Sequence, residues 1–222
     1  MIKGIFFDAA GILYQRMSPT TYFAEELVKQ KNYSNVLSEQ ERQDLESMRV
    51  HASQGQFSHE EYWQQFLLLH GVKNTRQQKR MIKQIINYSN DVFPVTGCRE
   101  TLAALKQRNF ILGIITDTIY PLEWKMMRLD KAGVSGYIDV VACSTDLGLH
   151  KPDPAIYLNA LQQVNLIPSE SAFVGHDACE IRGAHQAGMV TVAVNFEHGV
   201  HADYYCLSML DLLEIPELLI CG

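Results

Sequence analysis

Several residues in this chain have side chains suited to nucleophilic chemistry, and each follows an apolar run or opens a helix. Asp8 comes after Ile5-Phe6-Phe7, and Thr116 with Asp117 after Phe110 to Ile115. Gly175-His176-Asp177, with Glu180, comes after Ser171 to Val174, and Lys151 stands in His150-Lys151-Pro152-Asp153-Pro154. A carboxylate such as Asp8 can attack an electrophile and carry the transferred group as a covalent intermediate. A hydroxyl and an ammonium can hold the negative charge that develops on that group. The remaining acids can move protons or bind a metal ion. Each residue also has a plainer reading: Asp8 as a helix cap, Thr116 as a turn residue, Lys151 as a solvated cation, His176 as a loop residue. Their recurrence at successive strand ends favours a shared site.

Such a site needs elements whose ends meet. Ile5 to Phe7 is short, β-branched and aromatic, and closes toward Gly11, the pattern of a buried parallel strand. Later runs at Phe110–Ile115, Ile138–Cys143, Ser171–Val174 and Val190–Val194 read the same way. Between them lie helical patterns at Glu100–Gln107, Trp124–Ala132, Pro154–Val164 and Glu180–Ala187, and a last one at Ser208–Leu213. Strands alternating with helices of this length predict an α/β, doubly wound, mainly parallel sheet. Ligands of such sheets sit at the carboxyl ends of the strands, where Asp8, Thr116 and Gly175 fall.

From Ser18 to about Asn90 the pattern is helical throughout. Ser18-Pro19-Thr20 opens one helix, Ser38 to Glu41 reads as a capping box, and Ser58 to Glu61 starts another. Gly71 closes that helix, and Met81, Ile82, Ile85 and Ile86 mark one more. Nothing in the span reads as a strand, so it is expected to be a helical insert.

With 222 residues, 47% hydrophobic and 20% charged, the chain suits one domain with an insertion, or two small ones. A net charge of -6 disfavours nucleic acid or an anionic membrane as partner. An acidic protein that binds an anion must gather its cations locally, so single Lys and Arg positions matter. No run approaches the roughly 20 apolar residues of a membrane span, and Asp8 interrupts any signal-like start. A cytoplasmic location is expected, and the oligomeric state is not legible. Cys98, Cys143, Cys179, Cys206 and Cys221 form no C-x-x-C pair and read as small hydrophobes in a reducing compartment.

The motifs Phe7-Asp8-Ala9-Ala10-Gly11-Ile12-Leu13, Ile115-Thr116-Asp117, Lys151-Pro152-Asp153-Pro154 and Phe173-Val174-Gly175-His176-Asp177 occur in this order. With Gly183-Ala184 and Ala187-Gly188-Met189, they resemble the haloacid dehalogenase superfamily, helical-cap subclass, over nearly the whole chain. The resemblance implies a Rossmann-like core at 1–16 and 92–222, with a helical cap over 17–91 that selects the substrate. It implies Asp8 as nucleophile, steadied by Lys151, with Thr116, Asp117 and the loop at Ala9 and Ala10 binding the transferred group.

Two positions depart from the family's phosphatase pattern. Ala10 stands where a second Asp usually protonates the leaving group, a loss of about 10²–10⁴-fold. His176 stands where an Asp usually binds magnesium, which prefers oxygen ligands. Asp177 or Glu180 could supply the oxygen beside Asp8, and magnesium binding is expected to be weak or altered. The expected function is hydrolysis of a small phosphorylated or otherwise activated compound. One alternative is a degenerate member that binds a small anion or a protein partner. The other is metal-independent dehalogenation or phosphonatase-like hydrolysis. A dehalogenase would use a cap arginine, Arg42 or Arg49, and Tyr157 matches its pattern; a phosphonatase would use a cap lysine, Lys29 or Lys31.

Overall fold

The computed structural model describes residues 1–33, 35–196 and 198–220, so Cys221 lies outside the described residues. Strand β1 (Gly4–Phe7) is the third of six parallel strands, flanked by β4 (Ile111–Thr116) and β6 (Ser171–Gly175). Beyond β4 lies β5 (Val140–Cys143), and beyond β6 lie β7 (Val190–Val194) and β8 (Tyr204–Cys206). All four residues of β1 are buried because both faces of the sheet are covered. Side chains of a strand alternate between faces, and the core divides accordingly. Ile5 and Phe7 join the apolar cluster on one face with Leu112 and Val174. Phe6 joins the other with Ile115 and Phe173.

Helices α5 (Cys98–Gln107), α6 (Leu122–Ala132), α7 (Ser144–Leu147), α8 (Pro154–Gln162) and α9 (Ala178–Gln186) connect the strands. The insert holds α1 (Thr20–Gln30), α2 (Glu39–Ser53), α3 (His59–Leu69) and α4 (Thr75–Ser89), with its own apolar cluster around Trp63, Phe66 and Ile85. Capping boxes start α2 at Ser38 and Glu41 and α3 at Ser58 and Glu61. The chain enters and leaves the insert through two short strands, β2 (Tyr14–Gln15) and β3 (Phe93–Pro94), paired antiparallel. The segment expected as a last helix from Ser208 is instead a 3₁₀ turn at Leu210–Glu214. Asp211 there accepts from the backbone N–H of Leu207 and Ser208, a local bond that competes with the α-helical pattern. Among the described residues, no helix is long and apolar enough to cross a membrane.

Candidate active site

Asp8 is the first residue past β1, and its backbone N–H still bonds Val174 in β6 at 2.9 Å. The carboxyl group is thereby fixed at the carboxyl edge of the sheet. Lys151 reaches it from the loop before α8, with Nζ 2.6 Å from Asp8 Oδ1 and 2.7 Å from Glu180 Oε1. Glu180 is placed by the first turn of α9, where Asp177 Oδ1 accepts from the N–H groups of Cys179 at 2.7 Å and Glu180 at 3.2 Å. One turn further, a Cβ on Gly183 would lie 2.5 Å from the Pro152 carbonyl, so only glycine lets α9 seat against the Lys151 loop. The Tyr157 hydroxyl, from α8, donates to the Glu180 carbonyl at 2.8 Å.

Other sequence candidates lie close by. Asp117 Oδ1 accepts from the Lys151 N–H at 3.2 Å, and its Oδ2 lies 3.8 Å from His150 Nε2. Thr116 is buried, and its hydroxyl donates to the Asp117 carbonyl at 3.4 Å. His176 lies over Gly11, where an added Cβ would meet its ring at 3.0 Å, and Gly11 has a φ of +88°. The ligand atoms of Asp8, His176 and Glu180 all lie within 4.8 Å of one another. Asp177, expected as an oxygen donor, is not in this group; its Oδ1 caps α9.

One ammonium is thus shared by the buried Asp8 carboxyl group and the partly buried one of Glu180. Burial alone would raise the Asp8 pKa, but the charges of Lys151, Lys125 and His176 outweigh it, and the pKa is lowered. Glu180 goes the other way, pushed up to about 7 by burial and the Asp8 charge, which Lys151 only partly offsets. Near neutrality Asp8 is ionised, Lys151 is charged, and Glu180 is poised between its two forms. Glu180 Oε2 and His176 Nδ1 are buried without a hydrogen-bond partner.

A cleft of about 300 Å³ opens beside this edge, between the insert and the loops after β1 and β4. Arg16, Arg49, Lys125, Arg128 and Asp117 are its charged lining. Trp63 Nε1 in α3 donates to the Tyr120 hydroxyl of the core at 3.0 Å and closes one wall. Of the insert cations singled out by sequence, Arg49 lines this cleft, paired to Glu46 at 2.6 Å. Arg42 and Lys29 line a separate cavity of about 600 Å³ within the insert, which holds none of the motif residues. Sequence reasoning missed Arg16, Lys125 and Arg128. The usable signal was in α6, where Lys125, Arg128, Leu129 and Ala132 occupy one buried helical stripe.

Residues 5–194 match the family model of haloacid dehalogenase-like hydrolases. The chain belongs to that family. Among curated family relatives, the glyceraldehyde 3-phosphate phosphatase of Methanopyrus kandleri is 28% identical over 87% of this chain and 84% of its own. The (S)-2-haloacid dehalogenase 4A of Burkholderia cepacia is 32% identical, over 43% of this chain and 41% of its own. A solved 2-haloacid dehalogenase from Pseudomonas syringae pv. Tomato DC3000 has the same fold, with a TM-score of 0.68 at 22% identity. It covers 99% of this chain and 98% of its own. The family therefore fixes a hydrolase architecture and leaves the choice of chemistry to the site.

Proposed function

We propose that this family member hydrolyses small phosphorylated compounds with Asp8 as nucleophile. The observation carrying the reading is the buried Asp8 carboxylate, held ionised by the Lys151 ammonium at 2.6 Å. Lys151 engages Oδ1 and leaves Oδ2 to attack. Attack forms an Oδ2–P bond while the bond from phosphorus to the leaving oxygen breaks, and the leaving group departs with its electron pair. Water then attacks phosphorus, the Asp8–phosphorus bond breaks, and phosphate and free Asp8 are released. In this step Glu180 takes the water proton. Thr116, Lys151 and the amides at Ala9 and Ala10 hold the equatorial oxygens. Similarity to a glyceraldehyde 3-phosphate phosphatase supports phosphate-ester chemistry over the other family reactions.

Ala10 offers no proton to a leaving group, so substrates whose leaving group departs as a stable anion should be turned over fastest. A screen of p-nitrophenyl phosphate, acetyl phosphate and 2-chloropropionate tests this directly. Turnover of either phosphate is expected, and failure of both would remove the reading. Hydrolysis of 2-chloropropionate is the second reading. Ala10 favours it, since a halide needs no proton on leaving.

Magnesium does not fit the donors present. It requires near-octahedral oxygen ligation, whereas the third donor is the His176 imidazole. The Lys151 ammonium already bridges the two carboxylates at 2.6 and 2.7 Å. Turnover is therefore expected to change little with millimolar magnesium or with a chelator. A strict magnesium requirement, with calorimetric binding at tens of micromolar or tighter, would contradict this.

Glu180 sets the pH dependence. Its basic form grows as pH rises through about 7, so kcat should climb across that range and level off above it. In Glu180→Gln the acidic limb should vanish and kcat fall by about 10²-fold or more. A variant that kept the limb would assign the titration to another group.

A further inference from the structure

Beside the nucleophile the cleft holds cations to which the proposed steps assign no contact with the transferred group. Lys125 and Arg128 are 3% and 2% exposed, Arg16 is half-buried, and none has a carboxylate partner among the described residues. Their hydrogen bonds go to neutral groups. Arg16 Nε donates to the Ser89 carbonyl at 2.8 Å, and Arg128 donates to Asn90 Oδ1 at 2.9 Å and Ser89 Oγ at 3.1 Å. Lys125 Nζ has the Asp117 carbonyl at 3.4 Å. Such bonds satisfy single N–H groups and leave the charges uncompensated, a costly arrangement for a buried cation unless an anion arrives. The chain gathers them here although its net charge is -6.

Two of the three cations flank the ring of Tyr14, and Arg128 lines the same cleft. Arg16 Cζ lies 5.6 Å and Lys125 Nζ 5.7 Å from the centroid of the Tyr14 ring. Tyr14 is fully buried, and its hydroxyl lacks a hydrogen-bond partner. Lys125 and Arg128 both act on it. Burial would raise the phenol pKa, but Lys125, Arg128 and Arg16 outweigh that and lower it. Lys125 also acts by charge on Asp8, and Ala10 and Asp117 of the nucleophile's neighbourhood line the same cleft.

We infer that Arg16, Lys125, Arg128 and the Tyr14 hydroxyl form a subsite for a second anionic group, a carboxylate on the substrate's non-transferred end. The cleft volume of about 300 Å³ suits a small substrate with a few carbons between its two anions. A planar guanidinium and a phenol suit a carboxylate, which accepts several convergent bonds. Only the identity of the transferred group rests on the phosphohydrolase reading; the subsite itself does not.

The test uses the full chain and pairs binding with turnover. Calorimetry on Asp8→Asn, which should bind without turning over, compares 2-phosphoglycolate with ethyl phosphate, its counterpart without the carboxylate. The carboxylate-bearing compound should bind at least about tenfold tighter, the gain of one good charged contact. Adding Arg128→Gln, or the less buried Arg16→Gln, should remove most of that preference while circular dichroism stays unchanged. A preference that survives both substitutions, or equal binding of the two compounds, overturns the subsite. Methylene bisphosphonate is the arm for a second phosphoryl group, and tighter binding of it than of 2-phosphoglycolate would replace the carboxylate assignment. If wild type turns over neither ester while the binding preference holds, the phosphohydrolase reading fails and the subsite stands. Equal turnover of both esters together with equal binding removes the subsite and keeps the phosphohydrolase reading.

Discussion

Asp8→Asn is expected to abolish turnover of every substrate the screen identifies, by at least about 10⁴-fold in kcat, as loss of a nucleophile does elsewhere. The amide is nearly isosteric and far less nucleophilic. The fold should survive, because Lys151 keeps Glu180 as a partner at 2.7 Å and no buried cation is orphaned. Removing the Asp8 charge also removes a cause of the raised Glu180 pKa, so Glu180 should ionise more readily in the variant. Steady-state kinetics with thermal denaturation checks both parts. Wild-type turnover in a folded Asp8→Asn protein would mean that another residue attacks.

Lys151→Met should damage both stability and activity. The Lys151 side chain is 1% exposed and joins two carboxylates, so its loss leaves two acids facing each other without a cation. Removing one partner of a buried ion pair costs about 3–5 kcal/mol near neutral pH. The sign of the pH dependence follows from the carboxyl groups. Without Lys151 their folded-state pKa values rise above the unfolded ones. Acids raised in this way hold extra protons in the native state, so stability falls as pH increases through the range between the two values. The deficit relative to wild type should therefore shrink toward pH 5 and widen toward pH 8. Chemical denaturation at those two pH values is the check, and a deficit that did not depend on pH would contradict the shared-cation description. Turnover should drop by at least about 10²-fold, the scale of losing one charge-stabilising donor.

Much of the fold was legible because its signals were long or chemically specific. The apolar run at Ile5 to Phe7 could only be satisfied by a sheet covered on both faces, and it forms the buried β1. The capping chemistry at Ser38 and Ser58 marked true helix starts. Strands β2 and β3 have two residues each and β8 has three, too short for any period to register. The edge strand β8 was missed for that reason, and the 3₁₀ turn at Leu210–Glu214 was read as an ordinary helix.

The site was legible in part. Asp8, Lys151 and Glu180 stand out because each follows a strand or opens a helix, and topology brings such positions together. Asp177 has a strong local use as the cap of α9, a use that an Asp ahead of a helix commonly has. The cations of α6 escaped notice because buried Lys and Arg look like ordinary surface residues when a helix is read one residue at a time. Read as a stripe, Lys125 and Arg128 share the buried face with Leu129 and Ala132.

Covalent attack by Asp8 is the step on which the proposed chemistry depends. The direct measurement is peptide mass spectrometry on protein quenched in acid during steady-state turnover of the fastest substrate in the screen. The transferred group should appear on the peptide containing Asp8, with fragment ions placing it on that residue. It should be absent from quenched Asp8→Asn. Sustained turnover with the modification on another residue, or with Asp8 unmodified even when Glu180→Gln slows its release, would contradict the mechanism.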